Sequence, residues 1–179
     1  MTEIDQLQRE GIDAFRAGDY ELAETRFSEM ADIARSRDNR LKQAEALNDL
    51  GVVRKQLDDL PGAFTALNQA LAYYQESDNE RGEAQVLGNM GMVEEAAGQF
   101  EDAVQSYLDA AAIFEELGDS EMAMYSWQAL SRLKMRQNEW LSAIAAYEEG
   151  ISHLPDSSIK KKVLKKLLQF PNKFIGGQP

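Results

Sequence analysis

Four small residues, Gly11, Gly51, Gly91 and Ser131, recur at intervals of 40 in this chain, and so do Ala23, Ala63, Ala103 and Ala143. Two columns of large apolar residues keep the same phase. Leu7, Leu47, Leu87 and Trp127 stand four positions before each small residue, and Phe27, Leu67, Tyr107 and Tyr147 four positions after each alanine. Columns held in register over four copies, without an insertion, mean that one supersecondary unit is repeated and stacked. Within a unit, Leu47, Leu50 and Gly51, then Ala63, Leu67, Ala70, Leu71 and Tyr74, follow the i, i+3, i+4, i+7 spacing of a helix with one buried face. Each unit is therefore two helices, and neither can bury its stripe alone.

The break inside each unit is expected at Gly18, Asp58, Gly98 and Asn138, residue types that tolerate the left-handed conformation in which helices commonly end. Tyr20, Leu60, Phe100 and Trp140 follow and can pack the new helix on the old, and Pro61 stands where a first-turn residue needs no N–H. Between units lie Ser36-Arg37-Asp38-Asn39, Ser77-Asp78-Asn79-Glu80 and Leu117-Gly118-Asp119-Ser120, rich in capping residues. The small columns predict a glycine or serine on the first helix facing an alanine on the second, with the large residues filling the flanks. Trp127 and Trp140 fall in large apolar columns and are expected to fill the core. His153 shares a column with Ile33, Tyr73 and Ile113 and is expected to pack as they do.

Past residue 155 the pattern changes. Pro155 stops the eighth helix, Asp156 or Ser157 can cap a ninth, and Ile159, Val163, Leu164, Leu167 and Leu168 form its apolar stripe before Pro171 ends it. This predicts four hairpins over about 1–38, 39–78, 79–118 and 119–155, a basic amphipathic helix over 156–170 and a flexible tail over 171–179.

Composition excludes most chemistry. The 179 residues contain no cysteine, which removes disulfide scaffolds, thiolate metal sites and cysteine nucleophiles. The single histidine leaves no zinc pair and no triad, no EF-hand spacing or glycine-rich phosphate cradle is present, and acidic pairs such as Glu94-Glu95 read as solvated helix faces. No catalytic residue, cofactor or metal is expected. The net charge is −12, and it is uneven: residues 1–158 carry 31 acidic and 13 basic side chains, while residues 159–179 carry six lysines and no acid. An acidic body opposes nucleic acid. No apolar run is long enough to span a membrane, and the acidic N-terminus is unlike a signal peptide, so a cytoplasmic protein is expected. Three readings fit the basic segment: a cap on the fourth repeat, docking on an acidic surface of this chain or a second copy, or binding to a membrane surface.

Leu87 with Met90-Gly91, then Gly98, Phe100, Ala103, Tyr107 and Ala110, resembles the tetratricopeptide repeat (TPR), and Trp127, Leu130, Trp140, Ala143, Tyr147 and Pro155 resemble it again. The 40-residue spacing is similar to the longer-helix subclass of kinesin light chains and of regulators linking heterotrimeric G proteins to spindle orientation. The resemblance implies a right-handed, all-α solenoid of four hairpins with a C-terminal capping helix. It also implies a non-catalytic interaction module holding a partner's peptide or helix in the concave groove lined by the first helix of each repeat.

Carried across by position, the groove residues are Gln8, Ile12, Phe15 and Arg16 from the first repeat and Asn48, Asp49, Val52 and Lys55 from the second. The third contributes Gly88, Asn89, Met92 and Glu95, and the fourth Tyr125, Gln128, Arg132 and Met135. All lie away from the Leu47, Leu50, Gly51 stripe. Asn89 matches the asparagine that the resemblance makes a backbone anchor; Asp49, Arg9 and Ala129 do not. A carboxylate clamp of the chaperone type is not matched, because Gln8 and Ile12 replace its first pair. The rival reading is a structural assembly protein that homo-oligomerises through its end repeats or its basic C-terminal helix.

Overall fold

The computed structural model describes residues 2–152 together with Leu154, Ser158, Ile159 and Lys162. Among them are eight helices and no strand: α1 (Glu3–Ala17), α2 (Tyr20–Ser36), α3 (Arg40–Gln56), α4 (Leu60–Glu76), α5 (Glu80–Ala96), α6 (Phe100–Glu116), α7 (Ser120–Arg136) and α8 (Trp140–Ser152). Each helix packs on the next in sequence, and α1, α3 and α5 also touch one another in order, as in an all-α helical-repeat solenoid with α1, α3, α5 and α7 as its inner layer.

The six helices α2 to α7 are each 17 residues long and start 20 residues apart. The period of 40 thus contains two halves of equal length, set by the turns. One residue in every turn is left-handed, Gly18, Asp38, Asp58, Asp78, Gly98, Gly118 and Asn138, with φ between 51° and 80°. The next N–H reaches back across the turn, as from Asp19 to the Ala14 carbonyl and from Asn79 to that of Tyr74, both at 2.9 Å. These are Schellman closures, and only glycine, or at modest cost Asp and Asn, enters the conformation they need. In five of the turns the residue after the left-handed one caps the next helix. Asp19, Asn39, Asp59, Asn79 and Asp119 accept the N–H three residues on, at 2.9–3.2 Å. Gln99 makes no such bond. The turns expected inside units and those expected between units share one geometry.

The large column of the second helix covers the glycines of the first: a Cβ on Gly11 would fall 2.7 Å from the Phe27 ring, on Gly51 2.4 Å from Leu67, and on Gly91 2.7 Å from the Tyr107 ring. Each large residue of the second helix lies over the glycine of the first, filling the space a side chain would need. In the fourth hairpin, Ser131 meets the alanine of the second helix as expected, donating its hydroxyl to the Ala143 carbonyl at 2.7 Å in a buried hydrogen bond. The alanines still matter, since Ala23, Ala63 and Ala103 have no exposed surface.

Trp140 departs from its column. Where Tyr20, Leu60 and Phe100 are half-buried, Trp140 is 60% exposed, and Leu141 and Ile144 beside it are 85% and 49% exposed. None of the described residues covers that face of α8. Trp127 is half-buried and donates its indole N–H to Glu115 at 2.6 Å. His153, the expected helix over 156–170 as a whole and the tail over 171–179 lie outside the described residues.

Candidate functional site

Three contiguous cavities open along the inner layer, of about 320, 420 and 270 Å³. Asn48 lines all three, and Asn89 lines the first and third. Their side chains meet: the Asn89 amide donates to Asn48 Oδ1 at 2.8 Å, joining α5 to α3. Asn48 in turn points its amide toward Asp49 Oδ1, at 3.5 Å. A line of amide groups at the centre of a concave face leaves donors and acceptors for a bound main chain.

The cavities differ in chemistry. The first, between α5 and α7, has an apolar floor of Ala84, Gly88, Met92, Phe114 and Ala129, walled by half-exposed Tyr125 and rimmed by Arg132. The second, toward α1, contains Gln8, Ile12, Glu45 and Asp49. The third is lined by Ile12, Phe15, Arg16 and Val52. Each cavity is also lined by an arginine: Arg132 in the first, Arg81, paired with Asp119, in the second, and Arg16 in the third.

Burial, and then the negative charge of neighbouring Glu45, push the Asp49 carboxyl up to about 7, against a small opposing effect of the Asn48 amide. Glu45 itself pairs with Lys42 at 2.7 Å and accepts from Gln8 at 3.4 Å. Burial also raises the Tyr74 and Tyr107 phenols, with the carboxylates of Glu45 and Asp49 adding to the first and Glu95 to the second. Both therefore stay neutral hydrogen-bonding groups; Tyr107 donates to Glu95 at 3.2 Å.

Of the residues expected to line the groove, Gln8, Ile12, Phe15, Arg16, Asn48, Asp49, Val52, Gly88, Asn89, Met92, Tyr125 and Arg132 line these cavities. Lys55, Glu95, Gln128 and Met135 line none of the three. Glu95 is engaged by Tyr107 and by Arg136 of α7, and Met135 lies exposed near the end of its helix. Glu45 and Gln85 were not expected, yet they occupy the same repeat column as Tyr125, so reading that column through all four units would have found them. Among the described residues, no group of three or more His, Asp or Glu side chains is placed to hold a metal ion. No described helix is long and apolar enough to cross a membrane.

Comparison with known proteins gives one family and several similar solved structures. The family described as soluble NSF attachment protein, SNAP, matches residues 9–169. Among solved structures, the chain is similar to BtubC (BKLC) from P. vanneervenii, with a TM-score of 0.68, 18% identity, and coverage of 94% of this chain and 63% of that one. A Rap protein complexed with Competence and Sporulation Factor gives a TM-score of 0.78 at 19% identity, covering 85% of this chain and 43% of that one. A protein from Podospora anserina with nearly identical TPR-like repeats of kinesin light chain type gives 0.70 at 15% identity, with 89% and 82% covered. The chain thus spans less than two thirds of the first two. No curated protein matches by sequence.

Proposed function

Because the chain belongs to the soluble NSF attachment protein (SNAP) family and folds as a TPR-like solenoid, we propose that it is a non-catalytic adaptor, holding a peptide or helix of a partner protein in its concave groove. One observation carries the reading: the Asn48–Asn89 amide pair stands at the junction of three connected cavities on the inner layer. Helices already formed and cross-bonded need little ordering when a ligand arrives, which favours binding. The family takes its name from attachment to another protein, and the Rap structure holds a named factor; both accord with a role in protein binding. The proposed groove comprises the twelve expected residues that line the cavities, with Lys55, Glu95, Gln128 and Met135 as flanking positions.

The proposed organisation is four hairpins over 1–155, a basic helix over 156–170 and a free tail over 171–179. The cysteine-free composition fits a cytoplasmic compartment, and the acidic body argues for protein over nucleic acid as partner. Affinity capture with the wild-type chain and with a double variant, Asn89→Ala with Arg132→Glu, tests the groove. Partners held by the first and lost by the second are expected; equal retention removes the groove reading.

A second reading, assembly through the end of the solenoid, is favoured by the exposed Trp140, Leu141 and Ile144 on α8. Stacked repeats bury such faces against a neighbour, and a second copy can serve as that neighbour.

A further inference from the structure

We propose that the groove takes a partner segment that seats one large apolar side chain in the cavity left open by Gly88 and one cationic side chain against Asp49. The inference rests on the groove reading above and adds the chemistry of what is held.

Gly88 is the place to begin, because its repeat column carries a side chain in the other three hairpins: Gln8, Asn48 and Gln128. Most glycines of the inner layer are covered, as Gly51 is by Leu67 and Gly91 by Tyr107. A Cβ at Gly88 would meet only the Ala110 Cβ, at 4.0 Å, which is ordinary contact. No packing inside the chain requires a glycine there. What its absent side chain leaves is the floor of the cavity of about 320 Å³, a volume at the small end of the range for ligand pockets, about 300–1,000 Å³. Ala84 and Ala129 keep that floor low, and Met92 and Met122 line it with unbranched, adaptable side chains suited to an apolar guest.

Asp49 gives the second point. It lines both of the other cavities, its partner within the chain is the Asn48 amide at the long distance of 3.5 Å, and its neighbour Glu45 carries the same charge and is engaged by Lys42. Burial holds this carboxyl partly protonated near neutral pH, and an ammonium or guanidinium brought by a ligand favours its ionised form, so the two can pair there. An anionic side chain would be repelled there by two carboxylates. Arg132 lines the apolar cavity, whereas in the cavities that Asp49 lines Arg81 is paired with Asp119 and Arg16 is the remaining cation. The first and second cavities share Asn48 and Gln85, so one short segment can occupy both.

The test is binding of positional-scanning pools of N-acetylated, C-amidated octapeptides to the full chain, read by fluorescence polarisation. The expected result is strongest binding by pools fixed for Leu, Met or Phe at one position and for Lys or Arg at another. Gly88→Leu should weaken the apolar preference at least tenfold while keeping the preference for a cation. Asp49→Asn should do the reverse. Leucine is a better helix former than glycine, so loss of binding in Gly88→Leu does not come from a lost helix, and circular dichroism with thermal melting confirms this. Pools that bind without either preference, or variants that bind as the wild type does, overturn the inference and leave the groove reading standing. Binding that appears only when the chain is cut after residue 158 makes its own basic end the occupant, and also overturns it. Failure of every pool to bind removes the groove reading and the inference with it.

Discussion

Gly51 and Gly88 occupy helices of the same layer, and the same substitution should act on them with opposite sign. A methyl group at Gly51 would stand 2.4 Å from Leu67, inside a fully buried contact, whereas one at Gly88 meets nothing closer than 4.0 Å. Gly51→Ala is therefore expected to cost about 1–3 kcal/mol by overpacking, and Gly88→Ala to add about 0.5–1 kcal/mol by helix propensity. Urea midpoints at constant m-value measure both. Asp49 gives a pH dependence. Its carboxyl keeps its proton to about 7 in the folded chain, against about 3.9 when unfolded. Between those values the folded state binds a proton that the unfolded state releases. This contribution to stability is complete below about pH 4 and is lost as pH rises through 7. Asp49→Asn should remove the loss and raise the stability at pH 8 by about 1–2 kcal/mol, or roughly 2–8 °C in Tm. A variant whose melting temperature tracks that of the wild type from pH 5 to pH 8 would contradict this.

At the scale of the element, the turns carry the information. Each helix from α2 to α7 has the same length because a left-handed residue recurs every twenty positions and is followed by a cap. Gln99 is the exception, the N-cap of α6, whose side chain makes no capping bond. Gln99→Asp should supply it and stabilise the chain by about 1 kcal/mol, seen as a higher urea midpoint. An unchanged midpoint would mean that the cap geometry found at Asp59 or Asp119 is not reached there. The four intra-unit breaks were legible in residue type alone, because the conformation admits so few side chains. The equivalence of the turns between units was less so: Asp38 and Asp78 read equally well as capping residues, and the left-handed backbone shows only in the fold.

For the whole molecule, the outer face of the last described helix is notable beside the proposed groove. Column by column, Leu141 replaces Glu21, Pro61 and Glu101, so an exposed position that is polar or a proline elsewhere becomes apolar on the last described helix. If assembly uses this face, Leu141→Glu should lower the weight-average mass in concentration-dependent light scattering while leaving the helical signal intact. A mass that is the same for both proteins at every concentration would end the assembly reading. The lining of the cavities was legible in part. Asn48, Asp49, Asn89, Met92, Tyr125 and Arg132 follow from their repeat positions, since a helix in a solenoid turns one fixed stripe toward the concave side. Lys55, Gln128 and Met135 occupy that stripe too and yet miss the cavities, because cavity depth depends on how neighbouring helices stand relative to one another.

By itself the sequence determined the number of units, the helical period and the places where the chain reverses. All of these depend on short-range physics: the spacing of apolar residues, the tolerance of Gly, Asp and Asn for a left-handed backbone, and the reach of a capping side chain. Only the tertiary structure decided which glycine is covered and which is open, that Trp140 stays outside the core, and that a carboxylate at Asp49 is buried beside another. Such outcomes are set by the approach of helices far apart in sequence, where small rotations accumulate from one hairpin to the next.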